Sequence, residues 1–190
     1  TRVDMTSSSL GKYAIFALLV LAAPIHAEDA FERGLQFFKN GNTKEALALL
    51  NAAHARAPEN KQISYYLGRL AFEERRFADA ILWFGKSIDQ AHCEAEHSLW
   101  LGRAYGHRAL EATFLLRPFL AKKVLEHFRT AVACDPEHLP ARWDLMEYYV
   151  KAPKFLGGDV SRARGQAKQI LQLDAAKGER AFRWITENGG

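Results

Sequence analysis

Arg69 and Arg103 lie 34 residues apart, and Tyr66 and Trp100 keep the same interval. Guanidinium groups and large aromatic rings are the side chains in which binding energy concentrates at protein interfaces. Two arginines one period apart can grip a carboxylate or a phosphate by forked hydrogen bonds. The competing expectation is internal pairing of each arginine with an acidic neighbour such as Glu73 or Glu32.

A second group, His92-Cys93-Glu94 with Glu96 and His97, has the residue types of a metal cluster. Its two histidines are five apart, whereas two ligands on one helix face want a spacing of four. The group is therefore read without a metal, and no cofactor is expected. His54, His127 and His138 are scattered and read as surface or packing residues. No Gly-rich phosphate loop and no nucleophile-base motif stands out, so the chain is not expected to be an enzyme.

Composition narrows the classes further. The 190 residues are 48% hydrophobic and 25% charged, ordinary values for a folded globular chain. The net charge of +4 comes without any block of five like charges, which gives a nucleic-acid role no support. The basic doublets Arg75-Arg76 and Lys122-Lys123 read as solvated helix faces. Near the start, Lys12 precedes an apolar run from Tyr13 to Ala23, then Pro24-Ile25-His26-Ala27 and the acidic pair Glu28-Asp29. This is the pattern of a secretory signal peptide occupying 1–27, with cleavage after Ala27. An uncleaved membrane anchor is the alternative. Residues 1–4, ahead of Met5, are set aside as a possible artefact. The remainder, 28–187, is expected to be one domain in the periplasm or outside the cell.

The elements that must position these side chains are written in the same 34-residue period. Gly34, Gly68 and Gly102 are spaced by it, and so are Ala46 and Ala80. Small residues at fixed points of such a period mark stacked helical hairpins, in which one helix axis approaches the next too closely for a larger side chain. The first unit, about 28–60, has Phe31, Gly34, Phe37 and Phe38 on its first helix. It turns at Asn40-Gly41-Asn42, and Thr43 is expected to cap a second helix carrying Ala46, Leu47, Leu50 and Ala53. The second unit spans 61–94. The third begins at Ala95, and its Phe128 and Ala131 fall ten residues late. The extra residues near 108–118 predict a first helix lengthened by about 15 Å. Pro118 then opens the return helix. The apolar run Phe114, Leu115, Leu116, Phe119 and Leu120 is expected to pack on the neighbouring pair, the alternative being an exposed lip for a partner or a membrane. A fourth unit starts near Leu139, with Met146 where the earlier units have glycine. It turns over 152–159, and Asp159 caps a helix bearing Ala163, Ala167, Ile170 and Leu171. Gly178 is expected to break the chain before a last helix, 179–187, with Phe182 and Trp184 facing inward.

Leu67-Gly68, Ala71, Ala80 and Phe84 fill a frame that resembles the tetratricopeptide repeat (TPR) family, whose repeat runs W-x2-L-G-x2-Y, then A-x3-F, then P. The Ala-Pro-x-Phe-Leu-Gly-Gly-Asp turn after Tyr148-Tyr149 is similar to that of some secreted bacterial members. The resemblance implies an all-α, right-handed solenoid of about four hairpins with a C-terminal capping helix. It also implies a concave face lined by the first helices. On or near that face it puts Phe31, Leu35, Phe38, Tyr65, Tyr66, Arg69, Phe72, Leu99, Trp100, Arg103 and His107, with Tyr66, Arg69, Trp100, Arg103 and His107 as the binding residues. Members that bind chaperone tails use a Lys and Asn set that would begin where this chain has Phe31 and Leu35, so the resemblance does not extend to that specificity. Cys93 and Cys134 fall near the ends of adjacent second helices, offset by three positions. An oxidising compartment would permit a disulfide between them. The alternative is Cys134 as a small buried residue.

The expected function is a non-catalytic adaptor of the bacterial cell envelope that holds a protein or peptide in its groove. Two alternatives stand beside it: a self-associating structural module using the insertion near 108–120, and an enzyme or metal protein with a groove site.

Overall fold

Three glycines set the distance between paired helices. The computed structural model describes residues 26–189 apart from Gln90, so the leader-like stretch lies outside the described residues up to position 25. Among the described residues there are nine α-helices and no strand. They are α1 (Ala27–Lys39), α2 (Thr43–Arg56), α3 (Lys61–Glu73), α4 (Phe77–Ser87), α5 (Ala95–Glu111), α6 (Arg117–Cys134), α7 (Leu139–Lys151), α8 (Val160–Leu173) and α9 (Ala175–Asn188), with a 3-10 turn at Lys154–Leu156. Successive helices pair as α1–α2, α3–α4, α5–α6 and α7–α8, and α9 packs on α8 and α7. The first helices of the hairpins, α1, α3, α5 and α7, also touch one another in order. This is an all-α solenoid of four hairpins and a terminal helix.

At each glycine the partner helix occupies the space that a side chain would need. A Cβ on Gly34 would meet Leu50 at 3.0 Å, one on Gly68 would meet Phe84 at 2.6 Å, and one on Gly102 would meet Phe128 at 2.6 Å. Phe84 follows Gly68 by sixteen residues and Phe128 follows Gly102 by twenty-six, so the insertion leaves the packing contact in place. In the fourth hairpin the sizes change. Met146 is fully buried, and Ala163 and Ala167 of α8 share its cluster. Three clusters make the core, one around Leu50, Ile63 and Leu67, one around Ala71, Phe84 and Leu101, and one from Leu99 to Ile185.

Local chemistry ends the helices. Asn60 accepts hydrogen bonds from the backbone N–H of Gln62 and Ile63, and Asp159 does so from Ser161 and Arg162. Such caps satisfy donors that the first turn leaves free. Gly41 turns α1 into α2 with φ +76, and Arg75 holds the same place in the next hairpin with φ +59.

Several local expectations are corrected. Thr43 is the first helical residue of α2 rather than its cap, and Asn42 in the cap position makes no side-chain bond. The ten inserted residues do not lengthen only the first helix. α5 has 17 residues and α6 has 18, against 13 and 11 in the preceding hairpin, so both arms gain. Pro118 sits in the first turn of α6, where a missing N–H costs nothing. Of the apolar run, Phe114, Leu115, Leu116 and Phe119 are exposed rather than packed. Gly178 does not break a helix. It lies inside α9 against the backbone of Leu171, where a Cβ would come within 2.2 Å of the Leu171 Cα. Asp174 starts α9 instead, accepting from the Lys177 N–H. Leu171 is partly exposed, and the inward face of α9 is Ala181 and Ile185, with Phe182 and Trp184 only half-buried beside them.

Candidate functional site

Tyr66 and Arg69 sit on α3, and Trp100, Arg103 and His107 on α5. The Tyr66 ring lies 5.9 Å from that of Phe31 and 5.4 Å from that of Phe38, both on α1. The Arg69 guanidinium lies 3.8 Å from the centre of the Trp100 ring, and the Arg103 guanidinium lies 4.6 Å from it. Trp100 donates its indole N–H to Glu96 at 2.8 Å and meets Phe72 edge-on at 5.1 Å. Tyr66, Arg69, Trp100 and Arg103 thus form one run across two hairpins. His107 stands beyond it, stacked on Phe77 at 4.7 Å and joined to the run through Phe72. Leu99 is buried in the core rather than on this face, and Tyr65 is buried just beneath it, reaching it through its hydroxyl bond to Arg69.

Both arginines find partners within the chain. Arg69 donates to the Tyr65 hydroxyl at 3.0 Å and lies 3.8 Å from Glu73, while its Nε is buried with no acceptor. Arg103 grips Asp144 of α7 with Nε on Oδ2 at 2.6 Å and Nη2 on Oδ1 at 3.4 Å. The forked carboxylate contact expected for a ligand is therefore made to the chain's own aspartate. Burial pushes the Asp144 carboxyl above the usual carboxylate range, and Arg103 pulls in the opposite direction. Burial likewise raises the Tyr65 phenol, and its bond to Arg69 works against that rise.

Beyond Arg103 a groove of about 470 Å³ opens between α5 and α7, with α6 as its floor. Arg103, His107 and Leu110 form one wall, Val124 and Phe128 the floor, and Asp144, Tyr148 and Lys151 the other wall, with Pro153 and Leu156 closing it. Its size is that of a site for a small molecule or a few side chains. The lining is mostly apolar, with charged groups along the rim. Asp144 and Lys151 were not among the expected residues. They occupy the register of Trp100 and His107 once the ten inserted residues are counted, so the signal was present in the period.

The remaining candidates separate. His97 is buried, its Nδ1 2.9 Å from the Ser87 carbonyl and its ring stacked on Tyr65 at 4.6 Å. His92 is 85% exposed. Among the described residues no three His, Cys, Asp or Glu side chains gather as metal ligands. Cys93 and Cys134 are joined in a disulfide with Cα atoms 5.4 Å apart, tying the start of α5 to the end of α6.

The sequence model of the tetratricopeptide repeat matches residues 31–91, which span the first two hairpins. Over those residues the chain matches the tetratricopeptide repeat, and the hairpins that follow continue the same helical-repeat fold. The TPR stack is similar to the crystal structure of MamA, with a TM-score of 0.66, 18% identity, and coverage of 83% of this chain and 84% of that one. It is similar to TTC0263, a thermophilic TPR protein of Thermus thermophilus, with a TM-score of 0.64, 16% identity, and coverage of 85% and 91%. It also resembles YrrB, described as a TPR protein with an unusual peptide-binding site, with a TM-score of 0.61, 14% identity, and coverage of 85% and 78%. At these identities the likeness is one of fold, and it extends the TPR frame past residue 91 into the third and fourth hairpins. No curated protein sequence matches the chain.

Proposed function

We propose that this TPR protein is a non-catalytic interaction module that holds a peptide or protein segment along the face of its first helices. The observation that carries the reading is the apolar groove between α5 and α7, which meets the Arg69–Trp100–Arg103 run at Arg103. A peptide lying there would bury an apolar side chain over Val124 and Phe128. Its backbone would find hydrogen-bonding groups along the rim, from Asp144 and Lys151 to His107. Trp100 and Tyr66 would extend the contact toward α1 as rigid aromatic anchors. The peptide-binding site named for YrrB supports peptide capture by a stack of this shape.

The proposal assigns the working protein to the periplasm or the cell exterior. The leader-like run at 13–23 supports this, and so does the Cys93–Cys134 bond, which suits an oxidising compartment.

The test is selection of peptides from a displayed random library on the protein from residue 28 onward, followed by calorimetry. The selected peptides are expected to lose about tenfold or more in affinity with Trp100→Ala, the size of effect a central anchor gives. Arg69→Ala and Arg103→Ala weaken them too, whereas Lys44→Ala on the far helix of the first hairpin leaves them unchanged. Peptides indifferent to all three groove variants would overturn the reading.

A further inference from the structure

Six large apolar side chains crowd one corner of the stack. Leu110 lies near the end of α5, Phe114, Leu115 and Leu116 fill its connection to α6, and Phe119 follows in the first turn of α6. Phe155 joins them from the 3-10 turn, which is fixed to α6 in two ways. The Tyr148 hydroxyl lies 2.9 Å from the carbonyls of both Ala121 and Leu156, and Leu125 fills the space where Gly157 would carry a Cβ. The exposures are 75% for Leu110, 76% for Phe114, 72% for Phe119 and 78% for Phe155, and no other large apolar side chain among the described residues passes 70%. The first two hairpins turn with Asn40-Gly41-Asn42 and Glu74-Arg75-Arg76. The third replaces that polar turn with Phe-Leu-Leu at the place farthest out on the hairpin. Soluble surfaces rarely gather apolar groups in this way without a use for them.

The charges around the corner have one dominant sign. Arg108, Arg117, Lys122, Lys123 and Lys154 stand near it, against the carboxylates Glu111 and Glu126. Those two carboxylates are already engaged, Glu111 with Arg108 at 3.9 Å and Glu126 with Lys123 at 2.8 Å. That leaves Arg117, Lys122 and Lys154 without a carboxylate partner among the described ion pairs. A second copy seated corner to corner would bring like charges together, which opposes self-association here. A protruding apolar tip without a cavity suits a fluid phase, and a ring of cations suits anionic headgroups. Among the described residues no helix is long and apolar enough to cross a membrane, so the contact would be peripheral.

We propose that the α5–α6 corner is a membrane-docking wedge. Phe114, Leu115 and Phe119 enter the headgroup–acyl boundary of an anionic bilayer, and Arg117, Lys122 and Lys154 lie on its phosphates. The corner adjoins the peptide groove at Leu110, but Phe114, Leu115 and Phe119 do not line that groove.

The experiment is cosedimentation of the protein from residue 28 with vesicles. The core clusters draw only on residues within 30–185, so the stack does not need the leader. Vesicles of equal parts phosphatidylglycerol and phosphatidylcholine are compared with phosphatidylcholine alone, at low and high salt. Binding is expected to the anionic vesicles and to weaken with salt. Phe114→Ser with Phe119→Ser should weaken it about tenfold or more, through loss of inserted apolar surface. Lys122→Ala with Lys154→Ala should lower it and flatten the salt dependence. The affected side chains are exposed, so the melting curves of both variants should match wild type. Absence of binding to anionic vesicles overturns the proposal, as does binding that the phenylalanine substitutions leave intact. A dimer in light scattering that Phe114→Ser dissolves, without vesicle binding, assigns the corner to a second copy instead.

Discussion

Arg103 on α5 holds Asp144 on α7 with its Nε 2.6 Å from Oδ2, and this pair joins the third hairpin to the fourth. Both side chains are largely buried, and burial holds the Asp144 carboxyl above the usual carboxylate range. A carboxyl with a raised folded-state value binds its proton more tightly folded than unfolded, so its contribution to stability falls as pH rises through that value. Arg103→Met removes the opposing cation and raises the value further. The variant should resemble wild type near pH 3, below the ordinary carboxylate range. Its deficit should then grow toward neutrality, reaching about 1–2 kcal/mol for a pair that is not fully buried. Urea melts at a series of pH values check this, and a deficit independent of pH would show that the loss is one of packing alone.

Gly68 and Gly85 give opposite forecasts for one substitution. A Cβ on Gly68 would lie 2.6 Å from the Phe84 ring, while a Cβ on Gly85 in the last turn of α4 meets nothing within 4 Å. Gly85→Ala should stabilise by a few tenths up to about 0.5 kcal/mol, since helix propensity counts for less in the last turn. Gly68→Ala gains propensity as well yet forces a buried ring to move, for a net loss of about 1–2 kcal/mol. Adding Phe84→Leu, which puts the first hairpin's leucine opposite the new Cβ, should restore part of that loss, since a Cβ on Gly34 would meet Leu50 at 3.0 Å rather than 2.6 Å. Thermal melts of the three variants and the double mutant yield the coupling.

The glycine register is readable in the chain because it expresses a steric demand that recurs wherever two helices meet. Asp144 is legible only after the ten inserted residues are counted, since before that it reads as an isolated acid rather than as the successor of Trp100. The fate of Phe114-Leu115-Leu116 is not written in its composition, because an apolar run packs or protrudes according to what lies opposite. Gly178 reads as a breaker by type, and only the approach of Leu171 makes it a contact residue. The partners of Arg69 and Arg103 were open for a similar reason. A guanidinium serves a ligand or a neighbour equally well, and distance alone decides.

Arg75 occupies the turn position of Gly41 with φ +59, a left-handed conformation that costs a side-chain-bearing residue roughly 1–2 kcal/mol. Its guanidinium lies 5.7 Å from the Phe77 ring, a weak offset to that strain. Arg75→Gly should therefore raise stability by about 0.5–1 kcal/mol after the entropy of the freed unfolded chain is counted. A differential scanning measurement of the midpoint checks it, and a lowered midpoint would mean that the Phe77 contact outweighs the strain.

Cys93 and Cys134 close the base of the α5–α6 hairpin, at the opposite end from the exposed apolar corner, across 41 residues of sequence. A loop of that length loses enough unfolded-state entropy on cross-linking to stabilise the fold by about 4 kcal/mol in the chain-entropy picture. The Gly102–Phe128 contact would keep α5 and α6 paired after reduction. Loss of the bond should thus lower stability without abolishing the fold. Urea unfolding with and without dithiothreitol should show a clear drop in midpoint for wild type. Cys93→Ala with Cys134→Ala should unfold at the reduced midpoint under both conditions. A wild-type midpoint indifferent to reductant, together with two thiols titrated before reduction, would show that the bond does not form in solution.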